Sequence, residues 1–357
     1  MSTDSNNTKH LVPDDSRALV RFPGISSRAY EHPADRGALA TARALPGFDQ
    51  VLRAISGAFG ERSERLLATA SSIRVGPRQF PVLYRLRQEC SEILDVEPPD
   101  LFVTRDPIPN GYTQGMDKPF ITLNTGLVEL FDRDALRFAV GHEIGHVLSG
   151  HALYYTVLRR LIRMITGVAW MPAGYWGMRA VIAALLDWYR RAELSADRAG
   201  LLCVQDPSAA LRAHMLMAGI TDPTEADTAE FLQQSSDYDA VETIWDSILK
   251  LSHLDGLTHP LSVVRAADLQ QWAAGEDYRT ILVGDYPRRS EDSETDWKDE
   301  VRTAARSYKE SWTSSADPLA NVLSEVGEAV SDAAGKVFQR FGKDSQNGDG
   351  EDENAKR

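Results

Sequence analysis

The run AVGHEIGHVLSGH, residues 139–151, constrains this chain more than any other stretch, because it places three histidines and a glutamate in one apolar-periodic segment. Helical geometry sorts them. Positions four apart on an α-helix differ by about 40° in azimuth, so His142 and His146 project from one face and can share a tetrahedral ion. Glu143 lies about 100° round from His142, where its carboxylate reaches a water polarised by the metal rather than the metal itself. His151 falls about 180° from His142 and is expected to cap the helix end or lie at the surface. Two imidazoles need a third ligand, and it must come from another element.

The alternative short motif, H-E-x-x-H-x-x-G-x-x-H, requires glycine at position 149 and histidine at position 152, where the chain has Ser149 and Ala152. A zinc site with two histidines commonly takes a carboxylate and leaves its fourth position to water. No glutamate occurs between His146 and Glu193, which sits in RRAELSADRAGLL. Ala192, Ala196 and Ala199 in that segment are small enough to let a second helix approach closely. Asp197, one turn beyond Glu193, is placed to accept the free ring N–H of a ligand histidine. One Zn2+ per chain is the expected cofactor, held by His142, His146 and Glu193.

The surrounding pattern is α+β and mostly helical. Ala/Leu/Arg-rich segments (34–58 and 61–70) and the run 80–95 read as helices, and SSIRVG as a short strand. DLFVTR (100–105), GYTQGM (111–116) and PFITLN (119–124) look like a small sheet. Asp132 and Asp134 supply helix-start chemistry for a helix over 133–149. From 152 to 286 the pattern is almost wholly helical, broken at Pro172, Pro207, Pro223 and Pro260. The expected organisation is a polar disordered leader over 1–20, one metal-binding domain over 21–285, and an acidic tail over 286–357. An amphipathic helix near 318–341 carries a stripe of Leu319, Val322, Leu323, Val326, Val330, Val337, Phe338 and Phe341. Deleting 316–357 is expected to leave the metal site intact.

A formal net charge of −13 argues against nucleic acid as a partner, since phosphate binding needs positive charge. Cys90 and Cys203, the two cysteines, show no metal-ligand spacing and read as buried thiols. The first residues lack the apolar core of a secretory signal, so a cytoplasmic location is expected. One segment stands apart. Residues 152–191 hold Arg159, Arg160, Arg163, Arg179, Arg190 and Arg191 against a single acid, Asp187. The uncharged stretch inside is shorter than the roughly 20 residues a spanning helix needs. Two readings stay open: a buried helical hairpin, or a peripheral membrane contact through 155–189 in which Trp170, Tyr175, Trp176, Trp188 and Tyr189 meet the interface.

VGHEIGHVLSGH followed by AELSADRAG resembles the HtpX-like and CAAX prenyl protease-like gluzincin metallopeptidases, a group that includes the Oma-type proteases. NGY (110–112), FITLN, TGLVEL and THPLSVVRAADL extend the likeness over about 70–275. The chain departs in Gly111, where the family usually has alanine, and the family's long membrane-spanning segments have no clear counterpart. The resemblance implies a zincin-type domain whose small sheet has an edge strand preceding the H-E-x-x-H helix. It implies a zinc endopeptidase in which Glu143 activates water, with a protein quality-control role in view and a catalytically silent binding or chaperone-like module as the alternative. His259 and Arg265 become candidates for stabilising the developing oxyanion, Arg265 also for pairing with Asp197. An extended protein or peptide substrate is expected to add to PFITLN as edge strand, with Asn110, Gly111, Phe120 and Thr122 lining it. His10, His32, His214 and His253 have no motif support, and the oligomeric state is left open.

Overall fold

A computed structural model of the chain describes residues 18–43, 61–164, 172–239 and 261–292, together with Phe48 and Leu52. Helices α1 (Pro33–Arg43) and α2 (Glu61–Ser71) precede strand β1 (Ile73–Arg74) and helix α3 (Pro81–Ile93). Strands β2 (Asp100–Thr104), β3 (Gly111–Gln114) and β4 (Phe120–Asn124) follow, then helices α4 (Thr125–Leu130) and α5 (Arg133–Leu148). The remainder is helical: α6 (His151–Met164), α7 (Pro172–Val204), α8 (Pro207–Ala218), α9 (Thr228–Asp239), α10 (Ser262–Ala274) and α11 (Glu276–Leu282). The protein is thus mostly helical with one small mixed sheet, as the sequence pattern implies.

The sheet runs β1-β2-β4-β3, with β2 and β4 parallel and the outer strands antiparallel to their neighbours. This overturns the placing of PFITLN at the edge. β4 is paired on both sides and every residue in it is buried, so Phe120 and Thr122 have no open flank to offer a substrate. The cause is local: residues 111–124 fold as a hairpin, and the apolar strand β4 takes the central place against β2, whose middle residues are also buried, leaving the more polar β3 outside. Asn124 N–H donates to the Asn110 carbonyl at 2.9 Å. By antiparallel alternation, Gly111 and Thr113 direct their backbone groups away from β4.

Helix α5 starts where Asp132 accepts the Ala135 N–H at 2.9 Å, and it is buried along nearly its whole length. It lies between the sheet, α3, α7 and α8, so it has no solvent face to be polar. Its crossing with α7 is close because both helices carry small residues there. A Cβ on Gly145 would stand 2.5 Å from the Ala199 Cβ, and one on Gly141 at the same distance from the Cys203 Cβ. The alanines of α7 therefore do what their size implies, with glycines on α5 as their counterpart. Cys90 and Cys203 are both free and buried.

Helices α6 and α7 pack as a hairpin against α1 in a second apolar cluster that includes Ala38, Phe48, Leu158, Leu161, Leu185 and Trp188. Trp188 and Tyr189 are buried, which removes them from the interfacial reading of 155–189. Trp170 and the side chains of Tyr175 and Trp176 lie outside what the structure describes. Arg160 is buried against Glu64, while Arg190 and Arg191 reach Asp187. No described helix is long and apolar enough to cross a membrane. At the far side, Ser26 N–H donates to the Pro287 carbonyl and Arg289 N–H to the Gly24 carbonyl, so residues 286–292 pack on 22–26. The expected helix over 318–341 lies outside the described residues.

Candidate metal centre

His142 and His146 leave the same face of α5 one turn apart, and the close α5–α7 crossing brings Glu193 over them. The two Nε2 atoms are 3.2 Å apart. Glu193 Oε2 stands 3.6 Å from His142 Nε2, and Glu193 Oε1 stands 3.3 Å from His146 Nε2. A tetrahedral zinc with bonds of about 2.0–2.1 Å has ligand-to-ligand edges of about 3.3–3.4 Å. The two Nε2 atoms are therefore about one such edge apart, each faces a different oxygen of the Glu193 carboxylate, and two imidazoles with a carboxylate are a set that zinc favours. All three side chains are buried. Burial drives the His142 ring below its ordinary pKa, which keeps it neutral and able to ligate.

The outer groups fix the orientation of these donors. His142 Nδ1 is 3.0 Å from Asp197 Oδ1, as expected for a ring N–H donated to a carboxylate. Arg265 donates from Nε and Nη2 to Asp197 at 2.7 and 2.6 Å, and its Nη1 lies 2.9 Å from Glu193 Oε2. Burial would raise the Asp197 carboxyl, but Arg265, His214 and His142 hold it well below the carboxylate range. The Arg265 guanidinium, a candidate for the oxyanion role, is thus engaged by two carboxylates on α7, one of them the Asp197 expected as its partner. His259, the other candidate for that role, lies outside the described residues.

Glu143 turns toward the sheet. The Thr113 hydroxyl donates to Glu143 Oε2 at 2.6 Å, with the Glu143 backbone carbonyl 3.1 Å away. Gly111, next along the edge, is close enough that a Cβ there would stand 3.0 Å from Glu143 Oε1. Edge strand β3, not β4, thus borders the carboxylate. A cleft lined by His142 and Glu143 is walled by Leu123, Leu127, Phe131, Phe138, Ala139 and Met217, with His214 and Arg265 as its other ionisable members. Tyr189 stacks on His146 at 6.3 Å and on Tyr155 at 4.8 Å, closing the other flank.

One histidine departs from its sequence expectation, and another without motif support lies near the centre. His151 is neither a surface residue nor a helix cap: it is 2% exposed, its Nδ1 lies 3.0 Å from His146 Nδ1, and its Nε2 lies 3.1 Å from Asp35 Oδ2. The helical break after Leu148 turns the chain back, so an azimuth extrapolated from α5 does not apply to it. His214, on α8, is buried against Phe138 and lies 3.6 Å from Asp197 Oδ2. Thr113 and Asp35 were also invisible beforehand, since neither belongs to a motif and both act only through the tertiary fold.

The family model for Peptidase family M48 matches residues 77–273, more than half of the chain. The chain belongs to this family. It is therefore a metallopeptidase, and of the HtpX-like kind. A plastoglobule-localized metallopeptidase 48 of Arabidopsis thaliana chloroplasts is 33% identical over 271 residues, spanning 73% of this chain and 77% of the relative. A protein named protease HtpX homolog from Thermoanaerobacter pseudethanolicus is 26% identical over 124 residues, covering 33% of this chain and 41% of its own length. Another of that name from Streptococcus gordonii is 24% identical over 202 residues, with 55% of this chain and 64% of the relative covered. No solved structure matches the chain.

Proposed function

We propose that this M48 metallopeptidase is a zinc endopeptidase that cleaves unfolded protein segments laid along β3. The reading is carried by the buried cluster of His142 Nε2, His146 Nε2 and the Glu193 carboxylate with Glu143 beside it. Zinc, when bound, supplies the Lewis acidity that polarises a peptide carbonyl and acidifies water. His142 and His146 would hold it through Nε2 and Glu193 through its carboxylate. Asp197 keeps the His142 proton on Nδ1, which leaves the Nε2 lone pair for a metal.

Glu143 takes a proton from the attacking water and returns it to the leaving nitrogen. Thr113 aims that carboxylate by donating to Oε2. Arg265 offsets the negative charge of Glu193 and Asp197 and keeps both in place. The substrate backbone adds to β3 at Gly111 and Thr113, with Asn110 at its entrance, and an apolar side chain next to the scissile bond enters the cleft between Leu127 and Met217. Recognition through main chain and one apolar pocket suits disordered clients of varied sequence, as a quality-control protease needs.

The test is cleavage of a reduced, unfolded protein by the purified full chain. Activity should disappear with a chelator, return with zinc, and be absent from Glu143→Gln. Unchanged cleavage by Glu143→Gln would remove the proposed base. No cleavage of any unfolded substrate by the zinc-loaded wild type would favour a silent binding module.

A further inference from the structure

The His146 side of the centre is supported from a part of the chain that the family match does not reach. His146, if it binds an ion through Nε2, must carry its proton on Nδ1. That N–H points at His151 Nδ1, 3.0 Å away. His151 must then accept at Nδ1 and hold its own proton on Nε2, which faces Asp35 Oδ2 at 3.1 Å. Asp35 can only accept, and it is aligned by the Trp188 indole N–H at 2.9 Å to Oδ1 and the Ser195 hydroxyl at 2.5 Å to Oδ2. Each proton in the line is thereby given one direction.

We propose that Asp35 and His151 form a buried relay that fixes the tautomer and orientation of His146, so that helix α1 sets the affinity of the metal centre. Asp35 lies well before residue 77, where the family match begins. The segment that carries it is anchored on both metal-bearing helices. The Tyr30 hydroxyl lies 3.1 Å from Ser149 Oγ just past α5, and His32 N–H donates to Ser195 Oγ on α7 at 2.9 Å. His142 and His146 are thus served differently: the first meets its carboxylate directly, the second through an intervening ring.

The inference rests on His146 being a zinc ligand, and the test separates the two. The zinc-free full chain is titrated with Zn2+ against a chromophoric chelator, and the visible spectrum of its Co2+ form is recorded. Asp35→Asn keeps the shape but presents an amide N–H to His151 Nε2, or at best a weaker acceptor. In the first case His151 Nδ1 must carry the proton and face the His146 N–H. Loss of an outer hydrogen-bond partner typically weakens metal affinity about 10–100-fold, and that weakening with an altered Co2+ band is the expected result. His151→Phe should behave alike and carries the test should Asp35→Asn not fold. Trp188→Phe removes one of the bonds that align Asp35 but leaves Asp35 Oδ2 on His151, and should weaken zinc binding less than either of those variants. Wild-type affinity in both Asp35→Asn and His151→Phe, or an equal loss in Trp188→Phe, would overturn the relay. Failure of the wild type to bind zinc would instead overturn the ligand assignment.

Discussion

Among the described residues, Arg265 is an arginine that the structure sets against both Glu193 and Asp197, and all three are buried. Removing one partner of such a cluster leaves uncompensated buried charge, which typically costs about 3–5 kcal/mol. Arg265→Met should destabilise the zinc-free protein by about that much, measured by denaturant unfolding. His214 supplies a pH signature. Burial pushes its ring down to about 4. Between the ordinary histidine value of about 6.5 and that folded value, the unfolded chain binds a proton that the folded chain refuses. Stability therefore falls as pH drops through this window, by up to about 1.4 kcal/mol per unit. In His214→Gln the loss between pH 7 and 4.5 should shrink by about 2 kcal/mol, checked by unfolding at both values. At this scale, what was legible in sequence depended on spacing within one helix. His142, Glu143 and His146 are fixed relative to one another by 3.6-residue periodicity, and Asp197 relative to Glu193. Asp35, Thr113, His151 and His214 depend on how separate elements meet, which no local pattern encodes.

The centre depends on one helix crossing at the scale of elements. Glu193 reaches the two imidazoles because Gly141 and Gly145 on α5 accept Cys203 and Ala199 of α7 at a separation that a further methyl would obstruct. Gly145→Ala should push the helices apart, destabilise the fold by about 1–3 kcal/mol and weaken zinc binding. Adding Ala199→Gly in the same chain should recover part of both losses. Thermal unfolding and zinc titration of the two variants decide the matter; equal zinc affinity in wild type and Gly145→Ala would deny the crossing its role. The helices and strands themselves were largely legible, from Asp132 capping α5 to the Pro207 start of α8. The sheet order was not. β3 and β4 both read as short apolar or alternating runs, and only their burial partners decide which becomes the edge. The apolar run PFITLN leads directly into the helical part of the chain, yet its hydrophobicity is what draws it to the sheet centre.

On the scale of the whole molecule, residues from both ends of the described chain close the domain around these helices. Phe22 and Tyr286 meet edge to face at 5.8 Å, and Arg289 reaches the Ile25 carbonyl at 3.0 Å and Asp95. Ending the chain after Asp285 removes Tyr286 from the core and should destabilise the protein by about 3 kcal/mol or more, whereas ending it after residue 315 should not. Denaturant midpoints of the two truncations provide the comparison. Such long-range closure was invisible in the sequence, where the composition shift near 285 marked a boundary but not the contacts across it. In the proposed site His142, His146 and Glu193 hold the metal while Glu143 works beside it. Elemental analysis of zinc per chain tests this most directly, on the wild type, Glu143→Gln and Glu193→Ala purified identically. About one zinc per chain is predicted for the first two, and a large loss for Glu193→Ala. Full zinc in Glu193→Ala would remove Glu193 as a ligand, and loss of zinc from Glu143→Gln would make Glu143 one.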